Sequence, residues 1–206
     1  MIVLHHLNQS RSRRILWLLE EIGEPYRVVA YQRQKQNFLA PPELKNIHPL
    51  GKSPVIEFDG HLLSESGAIT EWLINRFAPR LAPAPDSFDY AEYLQWIHFA
   101  ESSAMLPLLL MIFGRRDGDA QSLLAYAKQE ADNIFGYLDR YMEGRRYLVA
   151  EKLTGADFMM SFVLDILKRH DRLRVYPQLQ RYADLLSSTS SWIRAAELDR
   201  QYEVSS

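Results

Sequence analysis

The first 78 residues carry hydrophobic patterns that alternate between strand and helix. Short apolar runs rich in β-branched residues predict strands over residues 2–7 and 26–31. Between them, apolar side chains recur at helical spacing over residues 13–22, and Gly23 follows as a helix stop. This order predicts a βαβ unit with a right-handed crossover and two parallel strands.

A hairpin and a further helix are predicted next. Asp59-Gly60 separates two short apolar runs, 55–58 and 61–64. Both turn residues tolerate positive φ, so the pattern predicts a type I′ hairpin. Apolar side chains at helical spacing then predict a helix over residues 66–77.

Beyond a proline-rich segment, every predicted element is a helix. The sequence PRLAPAP cannot continue a helix and predicts a linker over residues 79–85. Pro107 is expected to kink the long helix that contains it. The predicted helices cover residues 88–113, 121–141, 154–170, 176–186 and 192–198. The fold class is therefore α/β plus all-α, with an α/β domain over residues 1–78 and an all-helical domain over residues 86–206.

Composition narrows the functional classes. The 206 residues carry 24 basic and 26 acidic side chains, a balance that argues against a nucleic-acid-binding protein. There is no cysteine, which excludes disulfides, thiolate zinc ligands and a cysteine nucleophile. The N-terminus does not resemble a signal peptide and no uninterrupted apolar run approaches about 18 residues, so we expect a cytoplasmic protein without a membrane segment.

Several motifs together resemble the cytosolic glutathione transferases, most closely a theta-related subgroup of fungi and bacteria. They are HPLGKSPV at residues 48–55, SESGAI at 64–69, the proline-rich linker, and LTGAD at 153–157. The resemblance covers essentially the whole chain. It implies a thioredoxin-like N-terminal domain that binds glutathione, a helical domain that binds a hydrophobic second substrate, and a homodimer.

The resemblance places the glutathione site at the strand ends of the N-terminal domain. Glu65 and Ser66 lie where a strand ends and a helix begins, so helix N–H groups can hold a carboxylate while Glu65 meets an ammonium group. Ser66 also suits a simple helix cap. Lys52 is expected to reach the glycyl carboxylate, or to be a solvated loop lysine. A cis peptide bond before Pro54, as the family implies, would present the Val55 backbone at an exposed edge for the cysteinyl unit.

The thiol-activating group is predicted among the residues between the first strand and helix. A hydroxyl beside a helix N-terminus can donate to a thiolate and stabilise it. An ungapped count back from Arg14 places Gln9, which has no hydroxyl, at the family's serine position. We therefore predict Ser10 as the catalytic residue and Ser12 as the second choice, with Asn8 or Gln9 as alternative amide donors.

The hydrophobic substrate site is predicted on the first helix of the helical domain. Trp96, Phe99, Ser103 and Met105 are the candidates, with core packing as the alternative for each. His5, His6 and His98 have no second ligand at metal spacing, so we expect packing or solvation for them and no metal site.

The predicted function is a glutathione S-transferase that joins the glutathione thiolate to a small electrophile. Peroxide reduction by the same thiolate is a related activity that the sequence does not separate from conjugation. The alternative is a noncatalytic binding or interaction module of the same fold, because a fold does not determine a function.

Overall fold

The structure is a computed structural model that describes residues 1–114 and 120–204. The chain divides into two compact units. The first comprises Met1–Arg80 together with Ser187–Ser206, and the second comprises Leu81–Leu186.

A four-stranded sheet forms the centre of the first unit, in the order β2-β1-β3-β4. Strand β1 runs parallel to β2 and antiparallel to β3, and β3 runs antiparallel to β4. The predicted βαβ unit and hairpin are therefore both present. The strands are β1 (Ile2–Leu7), β2 (Tyr26–Tyr31), β3 (Val55–Phe58) and β4 (His61–Ser64).

Eight helices and three short 3-10 turns complete the described chain. The helices are α1 (Ser12–Ile22), α2 (Ser66–Phe77), α3 (Phe88–Glu101), α4 (Met105–Gly114), α5 (Gln121–Tyr141), α6 (Gly155–Arg169), α7 (Pro177–Ser187) and α8 (Ser190–Val204), and the 3-10 turns are Pro42–Asn46, Pro79–Leu81 and Leu173–Val175.

One predicted helix is two helices in the structure. Instead of a single kinked helix over residues 88–113, α3 ends at Glu101 and α4 begins at Met105, after a turn over residues 102–104. Pro107 falls in the first turn of α4, where its missing N–H has no intrahelical partner to lose. The proline is therefore accommodated by a new helix start rather than by a kink.

The segment that contains these two helices also bears on our expectation that the protein has no membrane segment. Phe88–Gly114 is long and apolar enough to cross a membrane by length and composition, although 44% of its most apolar window is buried inside the protein. Trp96, Ile97 and Ala100 of α3 are among the buried residues. Core helices commonly meet this criterion, so it is weak evidence for a membrane span.

The last helix belongs to the first unit, not to the helical one. Our prediction placed all of residues 86–206 in one helical domain, whereas α8 packs on α1. The Trp17 indole N–H donates to Ser191 Oγ at 3.0 Å, and the rings of Trp17 and Trp192 meet edge to face at 4.9 Å. Helical periodicity identified the helix but carried no information about the surface it covers.

Helix α6 forms the centre of the second unit. Every residue from Gly155 to Leu164 is buried, including the polar Asp157 and Ser161. The predicted capping box is present at its start: Asp157 Oδ2 accepts from the Thr154 N–H at 2.8 Å. The same aspartate binds the Leu148 N–H and the Tyr182 hydroxyl, and so ties α6 to its neighbours.

Candidate active site

Strand register brings the predicted glutathione-site segments to one end of the sheet. His5 of β1 lies opposite Val55 of β3, and Val55 lies opposite Ser64 of β4. Because β3 is antiparallel to both neighbours, the carboxyl ends of β1 and β4 and the amino end of β3 meet along this row. Residues 8–12, 51–54 and 65–66, which continue from these ends, therefore lie at the same edge of the unit.

Ser12 is fully engaged in holding its own turn. Its buried hydroxyl oxygen lies 3.1 Å from the Leu7 amide nitrogen, 3.0 Å from the Leu7 carbonyl, 2.9 Å from His6 Nδ1 and 2.8 Å from Ser10 Oγ. A hydroxyl has one hydrogen and two lone pairs. These four contacts exceed the three hydrogen bonds that it can make at one time, so none is left for a ligand, and they fasten the start of α1 to the end of β1.

Ser10 keeps bonding capacity that Ser12 lacks. Its hydroxyl oxygen contacts Ser12 Oγ at 2.8 Å and accepts from the Ser12 N–H at 3.2 Å. One further hydrogen bond remains available to it. Ser10 is 5% exposed and lies just before the N-terminus of α1.

The two amide candidates in this turn also differ in how much of their hydrogen-bonding capacity is already used. Asn8 Oδ1 accepts from the Arg33 backbone N–H at 2.8 Å, which fixes the Asn8 side chain against the end of β2. Gln9 is exposed and has a positive φ of 50°, and its side chain makes no hydrogen bond within the described residues. The Asn8 side chain is therefore held in place by its oxygen, with its N–H donors still available, whereas the whole Gln9 amide is available to a ligand.

The Ser53–Pro54 peptide bond is cis, as the family resemblance implies. The prediction that Val55 offers a free strand edge is wrong, because β3 lies between β1 and β4. Ser53 is the residue that our sequence reasoning missed. Its hydroxyl donates to the His5 carbonyl at 2.8 Å, while its own peptide N–H and carbonyl have no hydrogen bond in the described chain. An extended peptide can pair with such a backbone.

Lys52 is exposed in the loop before this proline and forms no ion pair within the described residues. Gly51, which precedes it, has a φ of 57°, and a Cβ there would lie 2.9 Å from Lys45 Cγ. The loop therefore requires glycine beside the lysine.

Glu65 and Ser66 form a strained turn at the start of α2. Glu65 has φ 68° and ψ 114°, a conformation that costs a non-glycine residue about 1–3 kcal/mol. Its side chain is exposed and makes no capping bond, whereas Ser66 is buried. Strain that the surrounding structure maintains is typical of ligand-binding positions.

A buried arginine lies behind this turn and was missed from the sequence. Arg14 of α1 is fully buried, and its Nη1 donates to Ser66 Oγ at 3.2 Å. A cation and the N-terminus of α2 thus share one location, and both favour an anion. The sequence signal was weak, since the arginine lies within an otherwise apolar helix face.

The four hydrophobic-site candidates have different surroundings in the helical unit. Trp96 and Met105 are buried, and Trp96 packs against Phe99 and Tyr141 with ring centroids 5.0 and 4.6 Å away. Phe99 and Ser103 are half-buried. Their role in substrate binding stays a prediction.

A cavity of about 480 Å³ lies elsewhere in the helical unit. Its lining combines apolar side chains such as Leu108 and Ile166 with charged or titratable ones such as Lys128, His170 and Asp171. None of the four candidates lines it.

The two histidines of β1 were expected to pack or to be solvated, and each is buried with a carboxylate at hydrogen-bond distance. His5 Nε2 lies 2.6 Å from Glu57 Oε1, and His6 Nε2 lies 2.9 Å from Asp199 Oδ1. His98 is exposed on α3. Across residues 1–114 and 120–204, no group of three His, Cys, Asp or Glu side chains could hold a metal ion.

Comparison with known proteins identifies the family. The model described as "Glutathione S-transferase, N-terminal domain" matches residues 1–75, and the corresponding C-terminal model matches residues 102–188. Glutathione S-transferase 3 of Schizosaccharomyces pombe is 32% identical over 215 aligned positions, which cover 96% of this chain and 87% of that protein.

Solved structures agree with this match. A glutathione S-transferase from Actinobacillus pleuropneumoniae is 34% identical with a TM-score of 0.89, over 97% of this chain and 93% of that one. A glutathione transferase from Phanerochaete chrysosporium, solved with oxidized glutathione, shares the fold at 20% identity and a TM-score of 0.80, over 97% and 94% of the two chains. The predicted fold and enzyme class are confirmed; the theta-related subgroup stays a prediction. The chain belongs to the glutathione S-transferase family.

Proposed function

We propose that this enzyme binds glutathione at the strand-end site of its first unit and transfers the glutathione thiolate to a small, apolar electrophile. The observation that carries the proposal is the convergence of three features at one end of the sheet. These are a hydroxyl with spare bonding capacity, an unpaired peptide at Ser53, and the strained Glu65–Ser66 turn backed by Arg14.

Each part of glutathione has a complementary group in this arrangement. The γ-glutamyl end carries an ammonium and a carboxylate, which suit the Glu65 carboxylate and the N-terminus of α2 above Arg14. The Ser53 backbone, rather than that of Val55, pairs with the cysteinyl unit. Lys52 and Gln9 complete the set, with Lys52 on the glycyl carboxylate.

Ser10 is the donor to the sulfur in this proposal. Lowering the pKa of a thiol from about 8.5 by two units requires only about 2.7 kcal/mol. One hydrogen bond to a charged group contributes about 1.5–3 kcal/mol, and a helix N-terminus adds about 0.3–2 kcal/mol. The Ser10 hydroxyl beside α1 is therefore sufficient.

The assembly and the second substrate are carried over from the family. We propose a cytoplasmic homodimer whose hydrophobic site includes Trp96, Phe99, Ser103 and Met105. Sedimentation at micromolar concentration tests the dimer, since a single species at the monomer mass would contradict it.

Glutathione binding by calorimetry, together with initial rates against an aryl halide, tests the function. We expect saturable binding at millimolar glutathione or below and formation of the thioether. Absence of binding would overturn the proposal. Binding without turnover across several electrophiles would favour the noncatalytic module instead.

The same assay with an organic hydroperoxide tests the peroxidase variant. In that reaction two glutathione molecules lose their thiol protons and two electrons, and the products are the alcohol, water and oxidised glutathione. Formation of oxidised glutathione at a rate proportional to enzyme would establish this activity beside conjugation. A rate equal to the uncatalysed rate would exclude it.

A further inference from the structure

A chain of buried hydrogen bonds connects Ser10 to the last helix. Ser10 Oγ contacts Ser12 Oγ at 2.8 Å, and Ser12 Oγ contacts His6 Nδ1 at 2.9 Å. The other ring nitrogen of His6 lies 2.9 Å from Asp199 Oδ1 on α8, and Asp199 Oδ2 pairs with Arg13 Nε at 3.0 Å. All of these residues belong to the first unit.

The path is protected from water along its length. His6 is 1% exposed, Ser12 is fully buried, and Asp199 is 7% exposed. Hydrogen bonds of this kind are electrostatically stronger than exposed ones, because the local dielectric constant is low. A charge change at Asp199 is therefore expected to affect the hydroxyls at the other end.

The neighbouring histidine provides a natural comparison. His5 is equally buried and binds a carboxylate, but its other ring nitrogen contacts the Tyr31 hydroxyl at 2.9 Å, not a serine. Successive residues of a strand point to opposite faces of the sheet. Of the two histidines, only His6 is therefore connected to Ser10 by hydrogen bonds.

The number of hydrogens on the His6 ring decides which way the Ser10 hydroxyl hydrogen points. A carboxylate is an acceptor only, so Asp199 fixes the proton of neutral His6 on Nε2. Nδ1 then accepts the Ser12 hydroxyl hydrogen, for which the Leu7 carbonyl, 3.0 Å from Ser12 Oγ, is the competing acceptor. Ser12 Oγ already accepts from the Leu7 N–H, and its second lone pair is left to receive the Ser10 hydroxyl, whose hydrogen turns inward.

The lone pairs of Ser12 Oγ are used differently when both nitrogens of His6 carry hydrogen. Nδ1 then donates to Ser12 Oγ, which receives the Leu7 N–H as well and has no lone pair left for Ser10. The Ser10 hydrogen is released toward a ligand. The charged groups around His6 are Asp199 and, through it, Arg13, and the titratable Tyr202 ring of α8 lies 6.0 Å from the imidazole.

We propose that His6 and Asp199 are positioning residues: when His6 carries hydrogen on both ring nitrogens and Asp199 balances its charge, Ser12 accepts from His6 instead of from Ser10, and the Ser10 hydroxyl hydrogen points toward the glutathione sulfur. This inference rests on the proposed function, specifically on Ser10 as the thiolate donor. Helix α8 thereby becomes part of the catalytic unit.

We call the hydrogen-bonded path from Asp199 through His6 and Ser12 to Ser10 the relay. The variant Asp199→Asn tests it, because the amide oxygen can still accept from Nε2 but no longer offers a negative charge to a doubly protonated imidazole. We expect kcat to fall about tenfold and the pH profile of kcat to move to higher pH by about one unit. The glutathione dissociation constant should change by less than about twofold. Glu57→Gln, which makes the same change beside His5, is the matched control and should leave all three quantities unchanged.

A double-mutant cycle separates failure of the relay from failure of the proposed function. If the relay acts through Ser10, Asp199→Asn should have no further effect on kcat in a Ser10→Ala background. Additive losses, or an unchanged pH profile in a folded Asp199→Asn protein, would overturn the relay while Ser10→Ala alone remains impaired. A wild-type rate for Ser10→Ala would overturn the donor assignment itself. His6→Gln replaces the imidazole with an amide that forms hydrogen bonds but takes up no proton, and provides a second test should Asp199→Asn fold poorly. Its kcat should fall as in Asp199→Asn, and a wild-type kcat would overturn the relay.

Discussion

Glu65 shows at the scale of one residue how function and local strain coincide. Its backbone angles, φ 68° and ψ 114°, are unfavourable for any residue with a Cβ, and its carboxylate is exposed rather than used in a cap. A side chain held in such a position, with no partner among residues 1–114 and 120–204, is available to a ligand.

Glu65→Gln should therefore weaken glutathione binding with little effect on stability. The amide keeps the size of the side chain but removes the charge opposite the ammonium group, so we expect about a tenfold rise in the dissociation constant. Calorimetric titration measures it. Glu71→Gln, on the same helix, is the control, and equal affinities for the two variants would contradict the assignment.

Ser10 is the residue on which the chemical step depends in our proposal. Ser10→Ala removes one hydrogen bond to a charged sulfur, so kcat should fall about 10- to 100-fold and its pH dependence should move upward. Glutathione affinity should remain nearly unchanged. Ser10→Thr keeps a hydroxyl and should retain more activity than the alanine variant. An unchanged rate in Ser10→Ala would move the assignment to Ser12 or to the amides of Asn8 and Gln9.

Asp157 is a residue whose burial makes stability depend on pH. Desolvation raises its pKa from 3.8 to about 6, even though it accepts hydrogen bonds from Thr154, Leu148 and Tyr182. Because the folded-state pKa lies above the unfolded one, the unfolded chain releases this proton first as pH rises. The contribution of Asp157 to stability is therefore present at acid pH and is lost as pH rises from about 4 to about 6.

The variant Asp157→Asn tests whether this contribution to stability falls, rather than rises, with increasing pH. Between pH 4 and 7 the free energy of unfolding of the parent should fall by about 2 kcal/mol relative to the variant, whose side chain does not ionise. Urea unfolding at several pH values measures the difference. The exposed Asp89→Asn should show no such divergence, and a difference of opposite sign in Asp157→Asn would exclude burial as the dominant cause.

At the scale of elements, α8 is the helix whose position matters most. It packs on α1 through Trp17, Ser191 and Trp192, and Arg194 Nε pairs with Glu20 at 2.9 Å. Its periodicity predicted a helix, but the partner surface depends on where the chain returns after 186 residues. This is why a prediction from local pattern assigned α8 to the wrong unit.

Ser191→Ala should loosen the contact between α8 and α1. The change removes the acceptor of the buried Trp17 indole N–H, which typically costs about 1–3 kcal/mol. Urea unfolding followed by tryptophan fluorescence measures the loss. The adjacent Ser190 is exposed, so Ser190→Ala should change the unfolding free energy by less than about 0.5 kcal/mol; equal losses would indicate a general effect on the helix start.

At the scale of the whole molecule, ligand binding and stability are linked. If glutathione binds the folded first unit only, a concentration 100 times its dissociation constant adds about 2.7 kcal/mol to the free energy of unfolding. The dipeptide cysteinylglycine lacks the γ-glutamyl group and should stabilise far less. Thermal unfolding with each ligand measures the effect. Similar stabilisation by both would show that the Glu65–Ser66 turn is not the principal anchor.

The amino-acid sequence was enough to predict the strand and helix order of residues 1–78, the hairpin at Asp59-Gly60, the capping box at Thr154 and the family. These features depend on neighbouring residues or on motifs within a short stretch, so local chemistry suffices to predict them. Two missed features, the Arg14–Ser66 and His6–Asp199 contacts, join residues that are 52 and 193 positions apart. Tertiary packing alone decides such contacts, because side chains remote in sequence meet only after the helices have found their surfaces. Strand pairing likewise places Val55 in the interior of the sheet rather than at the expected edge. It leaves the Ser53 peptide group without a hydrogen bond in the described chain.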